Sequence, residues 1–136
     1  MIITKETDYA LRILRALADG ARLTTAQIAR GEQVPQQFAY KIIKKLQKNG
    51  IINILRGADG GCVLAVDLEN VTMRRLMCAM EEDSSVCSCM KPDYECNWCE
   101  AHGDSVCHAH LYLASVQKRL DSELETHNLK EILLGS

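Results

Sequence analysis

Five of the seven cysteines in this 136-residue chain fall between positions 87 and 107, as Cys87-Ser88-Cys89, Cys96-Asn97-Trp98-Cys99 and Cys107-His108-Ala109-His110. Thiolates are the preferred ligands of zinc and of iron–sulfur clusters, and a Cys-x-x-Cys pair beside further cysteines can put several of them into one coordination sphere. Three chemistries fit this set. An iron–sulfur cluster would use three or four of the sulfurs, with a further ligand from elsewhere. A structural zinc would close a tetrahedron of four Cys or His ligands. A metal-free switch would oxidise Cys96 and Cys99, or a longer pair, to a reversible disulfide. Trp98 reads as a packing residue of the loop, placed to shield such a centre from water. Cys62 and Cys78 stand apart, in segments of strand and helix character, and read as small buried hydrophobes.

A second group of residues has the chemistry of nucleic-acid contact. Gln36, Gln37, Tyr40, Lys41, Lys44 and Lys45 share one face of a segment that opens after Pro35. Glutamine can bond an adenine edge through two hydrogen bonds, whereas Lys44 and Lys45 are suited to phosphate. Arg56 precedes Gly57-Ala58-Asp59-Gly60-Gly61 and is placed to reach a flanking phosphate or the minor groove. Gly60 and Gly61 permit a tight turn with φ above zero.

These residues need elements to carry them. Thr4 to Ala18 repeats apolar side chains at helical spacing (Ala10, Leu11, Ile13, Leu14, Leu17, Ala18) and stops at Asp19-Gly20. Thr25 to Arg30 is a short helix broken by Gly31. The helix opened by Pro35 runs to about Asn49, with Phe38, Ile42, Ile43 and Leu46 inward. Two helices joined by a short turn, the second cationic on its outer face, make a helix-turn-helix. Ile51–Leu55 and Cys62–Val66 flank the glycine-rich turn as a hairpin, which makes a wing. A helix over Met73–Glu82 follows, then an aperiodic stretch holding the thiols. A long amphipathic helix from Cys107 to His127 has its stripe at Leu113, Val116, Leu120 and Leu124.

The expected fold is therefore mainly α with a small β-hairpin wing. A winged helix-turn-helix DNA-binding head spans 1–83, a cysteine-rich loop 84–106, and a dimerisation helix with a C-terminal segment 107–136. Pairing of the long helix with a symmetry mate would bury its stripe and set two heads on double-stranded DNA at a near-palindromic operator.

Charge is divided to match. Residues 1–56 hold ten Lys or Arg against four Asp or Glu, a net of +6, while the remainder nets −8 within an overall −2. A basic head on an acidic body suits a protein whose head alone meets phosphate. No apolar run approaches a membrane span and no signal peptide is evident, so no membrane partner and a cytoplasmic location are expected. There is no nucleophile–base constellation, so the chain is not expected to be an enzyme. Nothing around Cys96 has the βαβ setting of a thiol–disulfide oxidoreductase.

Several local motifs resemble the IscR/NsrR-type family of bacterial winged-helix regulators: Thr7-Asp8-Tyr9-Ala10-Leu11-Arg12, Ile28-Ala29, Arg56-Gly57-Ala58-Asp59-Gly60-Gly61, a cysteine loop before the last long helix, and Asn128-Leu129-Lys130-Glu131-Ile132-Leu133. The resemblance implies a dimeric transcription regulator, a repressor among its roles, with a 2Fe-2S or 4Fe-4S cluster on three loop cysteines that reports redox, nitric oxide or iron status. Carried over by position, it implies Cys89, Cys99 and Cys107 as ligands, with Cys87 and Cys96 as alternates. Asp8 from a partner subunit, or His110, is implied as the fourth ligand. A zinc-stabilised or thiol-switch regulator without a cluster is the alternative. Two departures stand out: five loop cysteines in place of three, and Cys62 where the family places an aromatic after the paired glycines.

Overall fold

A computed structural model describes residues 2–58, 60–103 and 105–135; Asp59 of the wing turn lies outside them. Helix α1 (Lys5–Leu17) is followed by α2 (Thr25–Glu32) and α3 (Gln36–Lys48), then by the antiparallel strands β1 (Ile52–Leu55) and β2 (Gly61–Leu64). The chain continues through α4 (Met73–Ala79), α5 (Asn97–Ala101), α6 (His108–Thr126) and α7 (Leu129–Leu134).

Capping sets several of the boundaries. Thr24 accepts from the backbone N–H of Gln27, and the Gln27 side chain returns a bond to the N–H of Thr24, closing a capping box ahead of α2. Thr72 and Asn128 cap α4 and α7 in the same manner, each accepting from a backbone N–H three residues on. Gly31 does not break α2, which runs on to Glu32; the stop is Gln33, which takes the left-handed conformation at φ 56°. Glycine inside an eight-residue helix costs only about 1 kcal/mol, and the buried Ile28 and Ala29 offset that.

One core runs through the head. Ala10, Ile13, Leu14 and Leu17 of α1 meet Ile28, Ala39, Ile42, Ile43, Leu46, Ile51 and Ile52, with Leu76, Met77 and Met80 below. The inward position on α3 is Ala39 rather than Phe38, which is 40% exposed and lies against Tyr9 of α1 at a centroid distance of 5.9 Å. The close approach of α1 to α3 leaves room for a methyl group, and the larger ring is turned to the surface. Cys62 is buried between β1 and Leu23, as expected of a packing cysteine. Cys78 is exposed on α4, contrary to the sequence reading, because Leu76, Met77 and Ala79 take the inward places on that short helix.

The C-terminal elements fold back onto the head. Leu124 of α6 and Leu129 of α7 join the same core, and the N–H of Leu129 donates to the carbonyl of Val71 at 2.8 Å. Arg74 of α4 pairs with Asp121 and Glu125 of α6 at 3.4 and 3.5 Å. Helix α4 ends at Ala79, three residues earlier than the periodicity suggested. The chain turns at Glu81 (φ 60°), which brings Glu82 back toward α1. There the hydroxyl of the fully buried Thr7 donates to Glu82 Oε2 at 2.5 Å, while Oε1 is buried with no hydrogen-bond partner among the described residues. The aperiodic stretch also contains short structure that its sequence concealed, namely α5 and a 3-10 turn at Ser88–Met90.

Thr7→Val keeps the shape of the side chain and leaves both oxygens of Glu82 unpaired. The expected loss of unfolding free energy is about 1–3 kcal/mol, read by urea denaturation; no measurable loss would show that the bond contributes nothing to joining the base of the loop to α1.

Candidate functional site

The thiol loop is fixed at both ends to one helix. Near its start, the N–H of Val86 donates to Gln117 Oε1 at 2.7 Å, and Gln117 Nε2 donates to the carbonyl of Ser84 at 3.1 Å and to Asp121 Oδ1 at 2.9 Å. At its end, Cys107 is the N-cap of α6, its sulfur accepting from the N–H of His110. Between these points the chain arches over a cavity of about 460 Å³. Its lining includes Cys87, Cys89, Cys96, Cys99 and Cys107 together with His110. All five loop cysteines therefore share one space. None of the seven cysteines is disulfide-bonded.

Within the cavity the sulfurs stand in pairs. Backbone and thiol hydrogen bonds from Cys89 hold Cys87 below the usual thiol range. Cys89 is raised, first by desolvation and then by Cys87, with a smaller contribution from Cys107. In the second pair, hydrogen bonds from the backbone and thiol of Cys99 hold Cys96 low. Thiols held close in pairs are suited either to metal ligation or to disulfide chemistry. The donor set and the space suit an iron–sulfur cluster or a zinc ion. Among the described residues, however, no three Cys, His, Asp or Glu side chains stand at metal-ligand spacing, so ligation requires the pairs to draw inward. Trp98 does not roof the cavity; it is 47% exposed and stacks on His102 at a centroid distance of 4.2 Å.

The two candidate fourth ligands are placed differently. His110 lines the cavity from the first turn of α6. Asp8 lies on α1, outside the lining, where its carboxylate meets Arg12 at 3.3 Å and Lys5 at 3.8 Å.

On the head, Gln36 and Gln37 form the exposed first turn of α3, and Tyr40 is 53% exposed. Tyr40, Lys44 and Arg56 line one cleft between α3 and the wing, together with Thr25, Ile43, Gln47 and Ile54. Two cations in a cleft beside an exposed helix are suited to a phosphate. The wing is tightly built. Gly61 takes φ +147°, and a Cβ there would meet the carbonyl oxygen of Leu23 at 2.9 Å; at Gly60 a Cβ would meet the carbonyl oxygens of Gly57 and Leu55 at 2.8 Å.

The lysines of α3 are not equivalent. Glu6 of α1 pairs with Lys41 at 2.9 Å and with Lys45 at 2.8 Å, and these two bonds hold the Glu6 carboxyl below its ordinary range, Lys45 contributing the most. Lys44 has no such acid beside it among the described ion pairs, so its charge is the more available. Glu6, Thr25, Gln47 and Gln117 also contribute, and no sequence motif marks them. Glu6 lies 39 positions from Lys45 and Gln117 lies 31 from Val86, so no local pattern links them.

The family model described as "Rrf2: Iron-dependent Transcriptional regulator" matches residues 3–134. This chain belongs to the Rrf2 family. Members of that family are transcription regulators, not enzymes, and this chain has their mainly helical winged-helix fold. Among curated Rrf2 relatives, it is 30% identical over 92 residues to the HTH-type transcriptional regulator NsrR of Bacillus subtilis, covering 65% of this chain and 63% of that one. The HTH-type transcriptional repressor NsrR of Streptomyces coelicolor is 37% identical over 93 residues, again covering 65% and 63%. The matched stretches thus span less than two thirds of these relatives. In solved structures the fold is found in CymR, the global cysteine regulator of B. subtilis, with a TM-score of 0.73 at 19% identity, covering 100% of this chain and 98% of that one. It is found too in T. potens IscR, with a TM-score of 0.70 at 17% identity over 99% and 88%. No helix among the described residues is long and apolar enough to cross a membrane.

Lys44→Ala and Arg56→Ala should each weaken DNA binding about equally across sequences and reduce the slope of log affinity against log salt by roughly one. Glu6→Gln should act in the opposite direction, because it releases Lys41 and Lys45. Fluorescence anisotropy with duplexes over a salt series checks both; an unchanged slope in Lys44→Ala would remove that lysine from the phosphate contacts.

Proposed function

We propose that this chain is a homodimeric regulator whose affinity for a near-palindromic operator is set by an iron–sulfur cluster ligated in the thiol cavity. The observation that carries this reading is the single cavity lined by all five loop cysteines at the N-terminus of α6. The NsrR relatives and the family's iron-dependent description support it. Cys89, Cys99 and Cys107 are the first candidates for ligands, with Cys87 and Cys96 beside them. When bound, a cluster supplies a centre that reacts with oxidants or nitric oxide.

The chain's own residues convert that into a signal. Drawing the thiol pairs inward shortens the arch between the Gln117 clamp and Cys107. Tension on the clamp reaches Asp121, which is shared with Arg74, and hence the placement of α4 against α6. The Thr7–Glu82 bond carries the same displacement to α1, against which α3 is packed. Of the stripe expected to pair, Leu120 and Leu124 pack on the head, so pairing of two copies would use the first turns of α6, where Leu111 and Tyr112 are 55% and 68% exposed. A change in α6 then alters the spacing of two recognition helices, which a duplex reads as a change in affinity.

A second reading has an observation of its own. Cys87 and Cys96 are each held below the usual thiol range by the neighbouring Cys89 and Cys99, and no disulfide joins them, an arrangement that suits a metal-free thiol switch. Anaerobic purification followed by visible absorbance and by iron, sulfide and zinc analysis decides between them. Coloured protein with iron and sulfide, whose operator affinity shifts by about tenfold or more on cluster removal, is the expected result. Colourless protein that retains zinc, or that binds DNA according to its thiol oxidation alone, would overturn the cluster reading.

A further inference from the structure

We infer that Glu6 of α1 is a specificity-determining positioning residue: its carboxylate holds the Lys41 ammonium at one place on the exposed face of α3, where it reads a guanine edge instead of ranging over phosphates. This rests on the reading of α3 as the helix that meets DNA, and goes beyond it by naming what orders one of the base contacts.

The geometry is a fork in series. Glu6 Oε2 accepts from Lys45 Nζ at 2.8 Å, and Oε1 meets Lys41 Nζ at 2.9 Å. The two lysines lie one turn apart on α3 but differ in reach, the side chain of Lys45 being 22% exposed and that of Lys41 58%. Lys45 therefore anchors the carboxylate, and the carboxylate in turn places Lys41. An acid in the first turn of α1 is favoured by the helix dipole alone. That role needs no partner on another helix, whereas here both oxygens are engaged by α3. The two bonds also keep the Glu6 carboxyl below its ordinary range, Lys45 contributing the most, so the fork stays ionised at neutral pH. With two cations on one carboxylate, positive charge remains in excess and Lys41 is still drawn to an acceptor.

Restraint decides what a lysine can read. Its ammonium is a point charge on a flexible stem, and a free one meets phosphate, which carries no sequence information. Held in place, the same group can donate to O6 and N7 of guanine. Lys41 stands four residues beyond Gln37 and next to Tyr40, on the exposed face that carries the other base-directed groups. Lys44 has no acid beside it among the described ion pairs and lines the cleft with Arg56, which leaves it as the mobile charge for the backbone. One restrained lysine for a base and one free lysine for phosphate is a division that a single residue of α1 imposes.

The test uses the full chain, prepared anaerobically, with a duplex that the wild type enriches from a random-sequence pool and a scrambled duplex of the same composition. Fluorescence anisotropy over a salt series is the readout. Glu6→Gln is expected to bind the scrambled duplex more tightly, with a log–log salt slope steeper by roughly one. Its preference for the selected duplex is expected to fall about tenfold, the loss concentrated at one G·C pair in each half-site. Lys41→Ala should lose the same preference, and Glu6→Gln should then add nothing to it. Lys45→Met, which frees the carboxylate without removing it, should lower the preference in the same sense, with an unchanged melting temperature showing that the head still folds. Tighter binding of both duplexes by Glu6→Gln with preference retained would overturn the positioning role and leave DNA binding intact. A loss of preference in Glu6→Gln that adds to that of Lys41→Ala would overturn it equally, as would full preference in Lys45→Met. Wild-type protein that binds no duplex would remove both this role and the reading of α3.

Discussion

The clamp made by Gln117 is the constraint on which the arrangement depends. A side-chain amide on α6 satisfies the N–H of Val86 and the carbonyl of Ser84, and so ties the first residues of the loop to the same helix that the last of them begins. A chain of about twenty residues is thereby closed into an arch, and most of the entropic cost of bringing its thiols together is met before any metal arrives. Without that closure, five cysteines spread along an aperiodic segment would sample a far larger volume. With it, they line one cavity.

The same helix is anchored to the DNA-binding head by a chain of contacts. Asp121 accepts from Gln117 and pairs with Arg74 of α4, Leu124 enters the head core, and Leu129 continues it through α7. On the other side of the loop, Glu82 meets Thr7 of α1. The loop is therefore bounded at its entry by a contact to α1 and at its exit by a helix packed on α4. Changes within it have two routes to the elements that carry α3.

Much of this was legible in the sequence, and the parts that were not share a cause. The helices of the head, the hairpin and the long helix before the C-terminus follow from periodicity, caps and glycines, all of which are local. The thiol loop was recognisable because cysteines at these spacings have few other uses. What escaped was set by distant partners. Phe38 fits the inward stripe of α3 as well as Ala39 does, and only the closeness of α1 decides between them. Lys41 reads as an exposed cation until Glu6, 35 residues before it, is found to pair with it. Cys78 reads as buried until α4 proves too short to have two covered faces. Gln117 has no sequence signature at all, since its role lies in backbone groups that the loop happens to present to it.

The central claim is that the state of the thiol cavity is communicated through α6 and the Thr7–Glu82 contact to the head. Hydrogen–deuterium exchange on the full chain under anaerobic conditions, comparing the metal-loaded and metal-free forms peptide by peptide, tests it most directly. Altered protection is expected in residues 84–107, extending into α4, α6 and the first turns of α1. Alteration confined to the loop, with those helices exchanging identically in both forms, would contradict it.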